Sequence, residues 1–248
     1  MNYITSCPRT DGFGAQFQNI IFDILFTYSQ TNNAYVFPDI KGFEHNYNND
    51  PEYCNKLIDY MNLKPYFKMN NPNESGELPH YNIRITYPYC ENNLTTLMNS
   101  STYKYIQSLF FENKQTPFDK TYYNVAIHIR RPNAHDNRTE GADTPNDYYL
   151  RIINHIRKHY NESKPLKFHI YSQGKQCDYI QYTNHNDTVL HLDEFVLDTF
   201  NGLVFADCLV TSGGSFSYTA AILSKGVIFY KSFWHKPSQK WVVGDSVK

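Results

Sequence analysis

Most of the usual signposts are missing from this chain. Charge of one sign is not in excess: the formal net charge is −1 over 248 residues. No global field therefore draws the protein to nucleic acid or to an acidic membrane. Cysteine is sparse and odd in number, with Cys7, Cys54, Cys90, Cys177 and Cys208 scattered and no Cys-x-x-Cys pair. That argues against a disulfide framework and against a structural zinc site. No apolar run is long enough to span a bilayer, and the opening residues Met-Asn-Tyr-Ile-Thr-Ser-Cys-Pro-Arg read as neither signal peptide nor anchor. The Gly-x-x-x-x-Gly-Lys-Ser/Thr loop is absent, which excludes a P-loop NTPase, and so is Gly-x-Gly-x-x-Gly. The expectation is a soluble, cytoplasmic protein in a reducing compartment, or one trimmed of its anchor.

Aromatic residues are abundant, at 17% with 22 Tyr. Together with frequent Asn, Ile and Lys, they read as a codon bias toward A and T. Asn-x-Ser/Thr triplets at Asn93, Asn137 and Asn161 are expected by chance in so Asn-rich a chain. Cys208 lies in an apolar run and reads as a core residue.

The segment Asn124-Val-Ala-Ile-His-Ile-Arg-Arg131 organises the rest. Val125, Ile127 and Ile129 alternate with Ala126, His128 and Arg130, a strand pattern that runs into a charged loop at 132–144. His128, Arg130 and Arg131 thus fall at the carboxyl edge of a sheet, where open α/β folds bind ligands. A guanidinium there suits phosphate, because its planar fork donates paired hydrogen bonds and stays charged. A surface ion-pair role for the two arginines stands beside that reading, as does a core role for His128.

The first half is irregular. A strand at 3–6, a turn Pro8-Arg-Thr-Asp-Gly-Phe-Gly14 and a helix at 16–30 are expected, the helix from the spacing of Phe17, Ile20, Ile21, Ile24, Leu25 and Tyr28. Such a turn is either a plain tight turn or a place where backbone N–H groups meet a ligand. A strand at 34–37, a helix at 51–63, an exposed loop at 69–79, a strand at 83–87 and one or two helices over 94–111 follow. The second half alternates strand and helix: a helix at 146–160, strands at 167–172 and 188–192, and a helix at 196–206. A buried strand at 208–211, a helix at 218–224 stopped by Gly226, and a strand at 227–230 complete it. That alternation implies a parallel, Rossmann-like sheet. The expected fold class is α/β, two Rossmann-like domains at 1–120 and 121–248 with the active site in the cleft between them.

Two strand-end loops of the second half point to one sheet edge. One carries His128, Arg130 and Arg131. The other is Ser212-Gly-Gly-Ser-Phe-Ser217 at a helix start, where free N–H groups, hydroxyls and the helix dipole form an anion site. A diphosphate is the natural occupant. Gly213-Gly-Ser215-Phe-Ser217, with His235 downstream, also approximates a nucleophile elbow, which keeps a serine hydrolase built on Ser215 open. His135 and Asp136 near His128 fit no standard metal spacing.

These residues resemble a family. His-Ile-Arg-Arg131 followed by Thr139-Glu-Gly-Ala-Asp-Thr-Pro145 is similar to a segment of α1,6-fucosyltransferases. Thr211-Ser-Gly-Gly-Ser-Phe-Ser-Tyr-Thr-Ala-Ala221 resembles the corresponding segment of α1,2- and protein O-fucosyltransferases, and Asp11-Gly-Phe-Gly-Ala-Gln16 their N-terminal glycine loop. The resemblance implies a GT-B fold and inverting transfer of fucose from GDP-fucose, without a metal or other cofactor, to a glycan or glycoconjugate acceptor. It implies donor contacts from Gly12, Phe13, Gly14, His128, Arg130, Arg131, Ser215, Phe216 and Ser217. Arg130 would hold the β-phosphate, Asp198 would read the guanine edge, and Glu140 would be the general base. The absence of Asp-x-Asp also speaks against a metal-dependent glycosyltransferase of the other major fold. There are departures: Ala15 replaces an amide side chain, and Pro132-Asn133 replaces an acid after the arginines. Another GDP-sugar as donor, or an inactive nucleotide-sugar-binding module, fits the same residues. Glu140 and Asp198 also have plain readings, as a solvated loop carboxylate and a first-turn helix carboxylate.

Overall fold

The computed structural model describes residues 2–7, 9–69, 77–131 and 143–248. The chain divides into two compact units, Met1–Gln115 and Thr116–Lys248.

The first unit runs β1 (Asn2–Thr5), α1 (Phe13–Ser29), β2 (Asn33–Val36), α2 (Tyr53–Met61), α3 (Ile83–Asn92), α4 (Leu94–Leu97) and α5 (Ser101–Phe111). Strands β1 and β2 pair in parallel, from Asn2 opposite Asn33 to Thr5 opposite Val36. A parallel bridge joins Thr5 to His80 on the other side. Parallel neighbours need a crossover, and α1 supplies it. It is buried on nearly every face, including Phe17, Ile21, Phe22 and Ile24 but also Gln18, Asn19 and Asp23, as expected of a helix enclosed by its unit.

The expected strand at 83–87 is helix α3. Ile83, Ile85 and Tyr87 alternate like strand residues, but Asn82 caps the segment, its Oδ1 accepting from Arg84 N at 2.9 Å. A capping side chain satisfies a helix donor that a strand does not present. The helix buries Thr86 and Cys90 and leaves Ile85 in water. The loop expected at 69–79 lies largely outside the described residues.

The second unit runs β3 (Tyr123–His128), α6 (Asn146–His159), β4 (Leu166–Ser172), a 3-10 helix (Gln176–Tyr182) and β5 (Thr188–Leu192). It continues with α7 (Val196–Phe205), β6 (Cys208–Val210), α8 (Ser215–Leu223), β7 (Val227–Tyr230), β8 (Val242–Val243) and a closing 3-10 turn (Gly244–Ser246). Its six strands are all parallel in the order β5-β4-β3-β6-β7-β8. The expected α/β class with a parallel sheet is therefore observed. The chain steps outward from β3 to β5, crosses back, and steps the other way from β6, so the winding direction reverses between β3 and β6. Ligands of open α/β sheets bind outside the carboxyl ends of the strands at such a reversal.

One sheet face presents Val125, Ile127, Ile129, Phe168, Ile170 and Val210 to the stripe Tyr149, Ile152, Ile153 and Ile156 of α6. Each such buried side chain contributes roughly 1.5–3 kcal/mol. Cys208 is buried with them, as its apolar surroundings suggested. Strand β8 and the first 3-10 helix were not foreseen. Helix α8 starts at Ser215, three residues before the expected position, and ends in extended backbone at Ser224. Gly226 does not act as a left-handed stop: a β-carbon there would lie 2.4 Å from the Ala206 carbonyl oxygen. Only glycine lets the two backbones pass so closely. Among the described residues, no helix is long and apolar enough to cross a membrane.

Candidate functional site

The reversal point of the second unit brings the two expected loops together. β3 ends at His128 and leads into Arg130; β6 leads through Ser212-Gly213-Gly214 into α8. Ser212 Oγ lies 2.8 Å from Nδ1 of His128, so the loops are joined by a side-chain hydrogen bond. That bond occupies Nδ1, and a ligand would meet the ring through Nε2. The ring also packs on Phe216, with centroids 5.4 Å apart, and Phe216 packs on Phe200 of α7 at 5.3 Å.

Arg130 crosses the start of α8. Its Nη1 stands 3.2 Å from where a β-carbon on Gly214 would be. Gly214 is the residue before the first helical turn and offers no capping side chain. The N–H groups of Ser215, Phe216 and Ser217 therefore begin the helix without an intrahelical acceptor. The partial positive charge of the helix end and the guanidinium share one small region. Burial, and then the Arg130 charge, push the His128 pKa down to about 3, so the imidazole is neutral at physiological pH. A neutral ring beside a cation at a helix start suits an incoming anion.

The remaining expected residues divide. Arg131 bridges the end of β3 and the start of α6: Nη1 donates to the carbonyls of Arg130 at 2.9 Å and Thr144 at 3.1 Å, and Nη2 to Asn146 Oδ1. Tyr182 donates to the same Asn146 oxygen at 2.8 Å. Ser217 is buried and ties its own turn: its Oγ accepts from Ser212 N at 3.1 Å and donates to Ser212 O at 3.3 Å. Its hydroxyl thus shapes the loop, while its N–H belongs to the helix start. Asp198 is exposed in the first turn of α7. The connection before it is anchored by a chain of contacts: Glu194 to His191 at 2.7 Å, His191 to His169 at 3.0 Å, and His169 to Asn124 at 3.1 Å. Glu140, His135 and Asp136 lie outside the described residues.

Gly12, Phe13 and Gly14 belong to the first unit, where Gly12 precedes α1 and Phe13 opens it. Asp11 Oδ1 accepts from Gly12 N at 2.7 Å, and its other oxygen accepts from Arg9 at 2.7 Å. His45 was missed in the sequence. Its ring would sit 3.0 Å from a β-carbon on Gly12, its φ is +72°, and Nδ1 is 2.7 Å from the Tyr47 hydroxyl. Gly214 was read as part of the anion-site loop; nothing short of the folded loop shows that it lies directly under Arg130.

His235, the expected partner of a Ser215 nucleophile, is buried and stacks on Tyr218 at 5.1 Å and 25°. Ser212, which meets His128, is fully buried. No group of three or more His, Cys, Asp and Glu side chains with metal-holding geometry occurs among the described residues.

No protein-family model and no curated protein matches the sequence. Among solved structures, the chain is similar to fucosyltransferase NodZ from Bradyrhizobium: 12% identity, TM-score 0.45, covering 95% of this chain and 99% of that one. It is similar to E. coli heptosyltransferase WaaC with ADP at 7% identity and TM-score 0.49, covering 98% and 92%. A variant of Arabidopsis thaliana FUT1 in complex with GDP has 12% identity and TM-score 0.45, covering 97% and 72%.

Proposed function

We propose that the chain is a glycosyltransferase whose donor diphosphate sits between Arg130 and the start of α8, and that it transfers fucose from GDP-fucose to a glycan hydroxyl with inversion and without a metal. The observation that carries this reading is the placement of Arg130 over Gly214, at the uncapped helix start and at the sheet's reversal point. The motif resemblances at all three glycine, arginine and serine segments agree with it.

In this reading the acceptor oxygen attacks the anomeric carbon while the bond to the β-phosphate oxygen breaks. The negative charge that grows on the leaving diphosphate falls on the Arg130 guanidinium and the first amides of α8. Preorganised donors of that kind commonly make the largest single contribution to such a step. His128, held through Ser212 and kept neutral, contributes a hydrogen bond without adding a second cation. The acceptor proton passes to a carboxylate, for which Glu140 is the choice by resemblance. Asp198 reads the guanine edge.

The hydrolase alternative is disfavoured by the stacking of His235 on Tyr218. Calorimetric titration with GDP, UDP, ADP and GDP-fucose, with and without EDTA, tests the proposal. Preferred, EDTA-insensitive binding of GDP is expected. Preference for UDP or ADP would remove the guanine assignment, and loss of binding in EDTA would remove the metal-free one. Sugar transfer by the purified chain separates an enzyme from an inactive binding module.

A further inference from the structure

The loop that follows β7 carries a side chain that the donor reading does not use. Trp234 is 68% exposed, the most exposed large hydrophobic residue described. The backbone that presents it is firmly held. Lys231 N donates to Thr211 Oγ1 at 2.8 Å and Ser232 N to Asp245 at 2.9 Å. Phe233 N donates to the Tyr230 hydroxyl at 3.3 Å, and that hydroxyl donates to the His235 carbonyl. The Tyr218 hydroxyl donates to the Lys236 carbonyl at 2.6 Å. Beneath lies an aromatic bed: Phe233 meets Tyr218 at 5.6 Å, and Tyr218 meets Trp241 at 5.5 Å. The indole meets this bed edge to face, with ring centroids 5.2 Å from Phe233 and 6.2 Å from His235.

The loop also borders the candidate site. Phe233 Cβ is 3.7 Å from where a β-carbon on Gly213 would stand, one residue before the Gly214 that Arg130 covers. In the sheet order, β7 lies beyond β6 on one side of the reversal point, and β5, which leads to Asp198, lies beyond β4 on the other. A nucleoside diphosphate whose base is read at Asp198 and whose phosphates lie at Gly214 has its far end on the Trp234 side.

We infer that Trp234 is a stacking platform for a sugar ring at the far end of the diphosphate. The ligand class is a pyranose, whose C–H face packs on the negative face of an aromatic ring. A rigid aromatic in a held loop binds with little loss of side-chain freedom. The inference deepens the donor reading and rests on it for the direction of the ligand. The sugar has two sources, the donor's own pyranose and the acceptor glycan, and the test distinguishes them.

The experiment compares wild type, Trp234→Ala and Trp234→Phe by calorimetry with GDP and GDP-fucose and on a glycan array. Circular dichroism of each variant confirms folding. For a donor-sugar contact, Trp234→Ala keeps GDP affinity but loses about threefold to tenfold in GDP-fucose affinity, the scale of one aromatic stacking contact. For an acceptor contact, both nucleotides bind as before and the array signal falls. Trp234→Phe restores most of the loss in either case. The inference is overturned if Trp234→Ala weakens GDP and GDP-fucose equally, since the indole would then serve the nucleotide, or if no ligand distinguishes the variants. If wild type binds glycans but no GDP, the donor reading falls alone, and the array comparison still decides whether Trp234 stacks on sugar.

Discussion

Arg130 Nη1 and the vacant β-position of Gly214 are 3.2 Å apart. The backbone of Gly214 is extended, with φ −172°, so alanine suits its conformation. The cost of a methyl group there falls on the guanidinium, which must move by a few tenths of an ångström. Gly214→Ala should weaken nucleotide-diphosphate binding by about tenfold, part of one charge-assisted hydrogen bond, with the melting temperature nearly unchanged. Arg130→Ala should cut turnover by about two orders of magnitude or more. Calorimetry, melting curves and transfer assays check both, and normal turnover without Arg130 would end the assignment.

Arg131 makes the opposite prediction from the neighbouring position. Its guanidinium holds the carbonyls of Arg130 and Thr144 together with Asn146, and so joins the end of β3 to the start of α6. Arg131→Ala should cost roughly 1–3 kcal/mol of stability, as lost hydrogen bonds from a charged group do. GDP affinity should change far less than in Arg130→Ala. A large affinity loss at unchanged stability would make Arg131 a direct ligand.

How these two arginines part shows what the sequence could convey. The strand that ends at His128, the parallel alternation and the meeting of two loops at one edge were legible. Strands buried on both faces read as apolar runs, and strand–helix spacing dictates a crossover topology. The division of labour between adjacent arginines was not, because it depends on where residues 144 and 146 return. The Ser212–His128 bond joins residues 84 positions apart, and no local pattern carries it. In the first unit, the strand expected at 83–87 took no account of Asn82, whose cap on Arg84 N starts a helix there.

Three groups shifted by burial act on the acid response with different signs. His128 and His169 are lowered by burial to about 3 and about 4. Below pH 6.5 the unfolded chain takes up protons that these folded imidazoles refuse, so each group costs stability as pH falls from 6.5 toward its folded value. Asp23 is raised by burial to about 6. Between pH 3.8 and 6 the folded state keeps a proton that the unfolded state has lost, so this group adds stability as pH falls. Each contributes a slope of about 1.4 kcal/mol per pH unit within its window. Asp23→Asn should therefore raise stability at pH 7 by roughly 2–3 kcal/mol and steepen the acid loss between pH 6 and 4. His128→Gln should flatten it. Urea unfolding at stepped pH measures both, and an Asp23→Asn protein less stable at pH 7 would refute the desolvation argument.

The close approaches of glycine make a final prediction. At Gly226 a β-carbon would stand 2.4 Å from the Ala206 carbonyl oxygen and 2.6 Å from that of Asp207. Both atoms are backbone at the start of β6, where Val227 N donates to Asp207 O at 2.9 Å and Cys208 is in register with Val227. Backbone cannot yield there without breaking the β6–β7 ladder. Gly226→Ala should thus cost at least about 3 kcal/mol, the upper range of overpacking. At Gly202 the clash is with the Tyr171 hydroxyl at 2.1 Å, and Tyr171 is itself stacked on His191 at 4.4 Å. Gly202→Ala should destabilise somewhat less, because a side-chain tip can swing, but it should displace α7 and with it Asp198. Gly42 has nothing within 4 Å of its β-position, so Gly42→Ala should leave stability within about 0.5 kcal/mol of wild type. Melting the three variants side by side tests the ranking. Gly226→Ala melting with Gly42→Ala would mean that the β6–β7 backbones do not pass as closely as described.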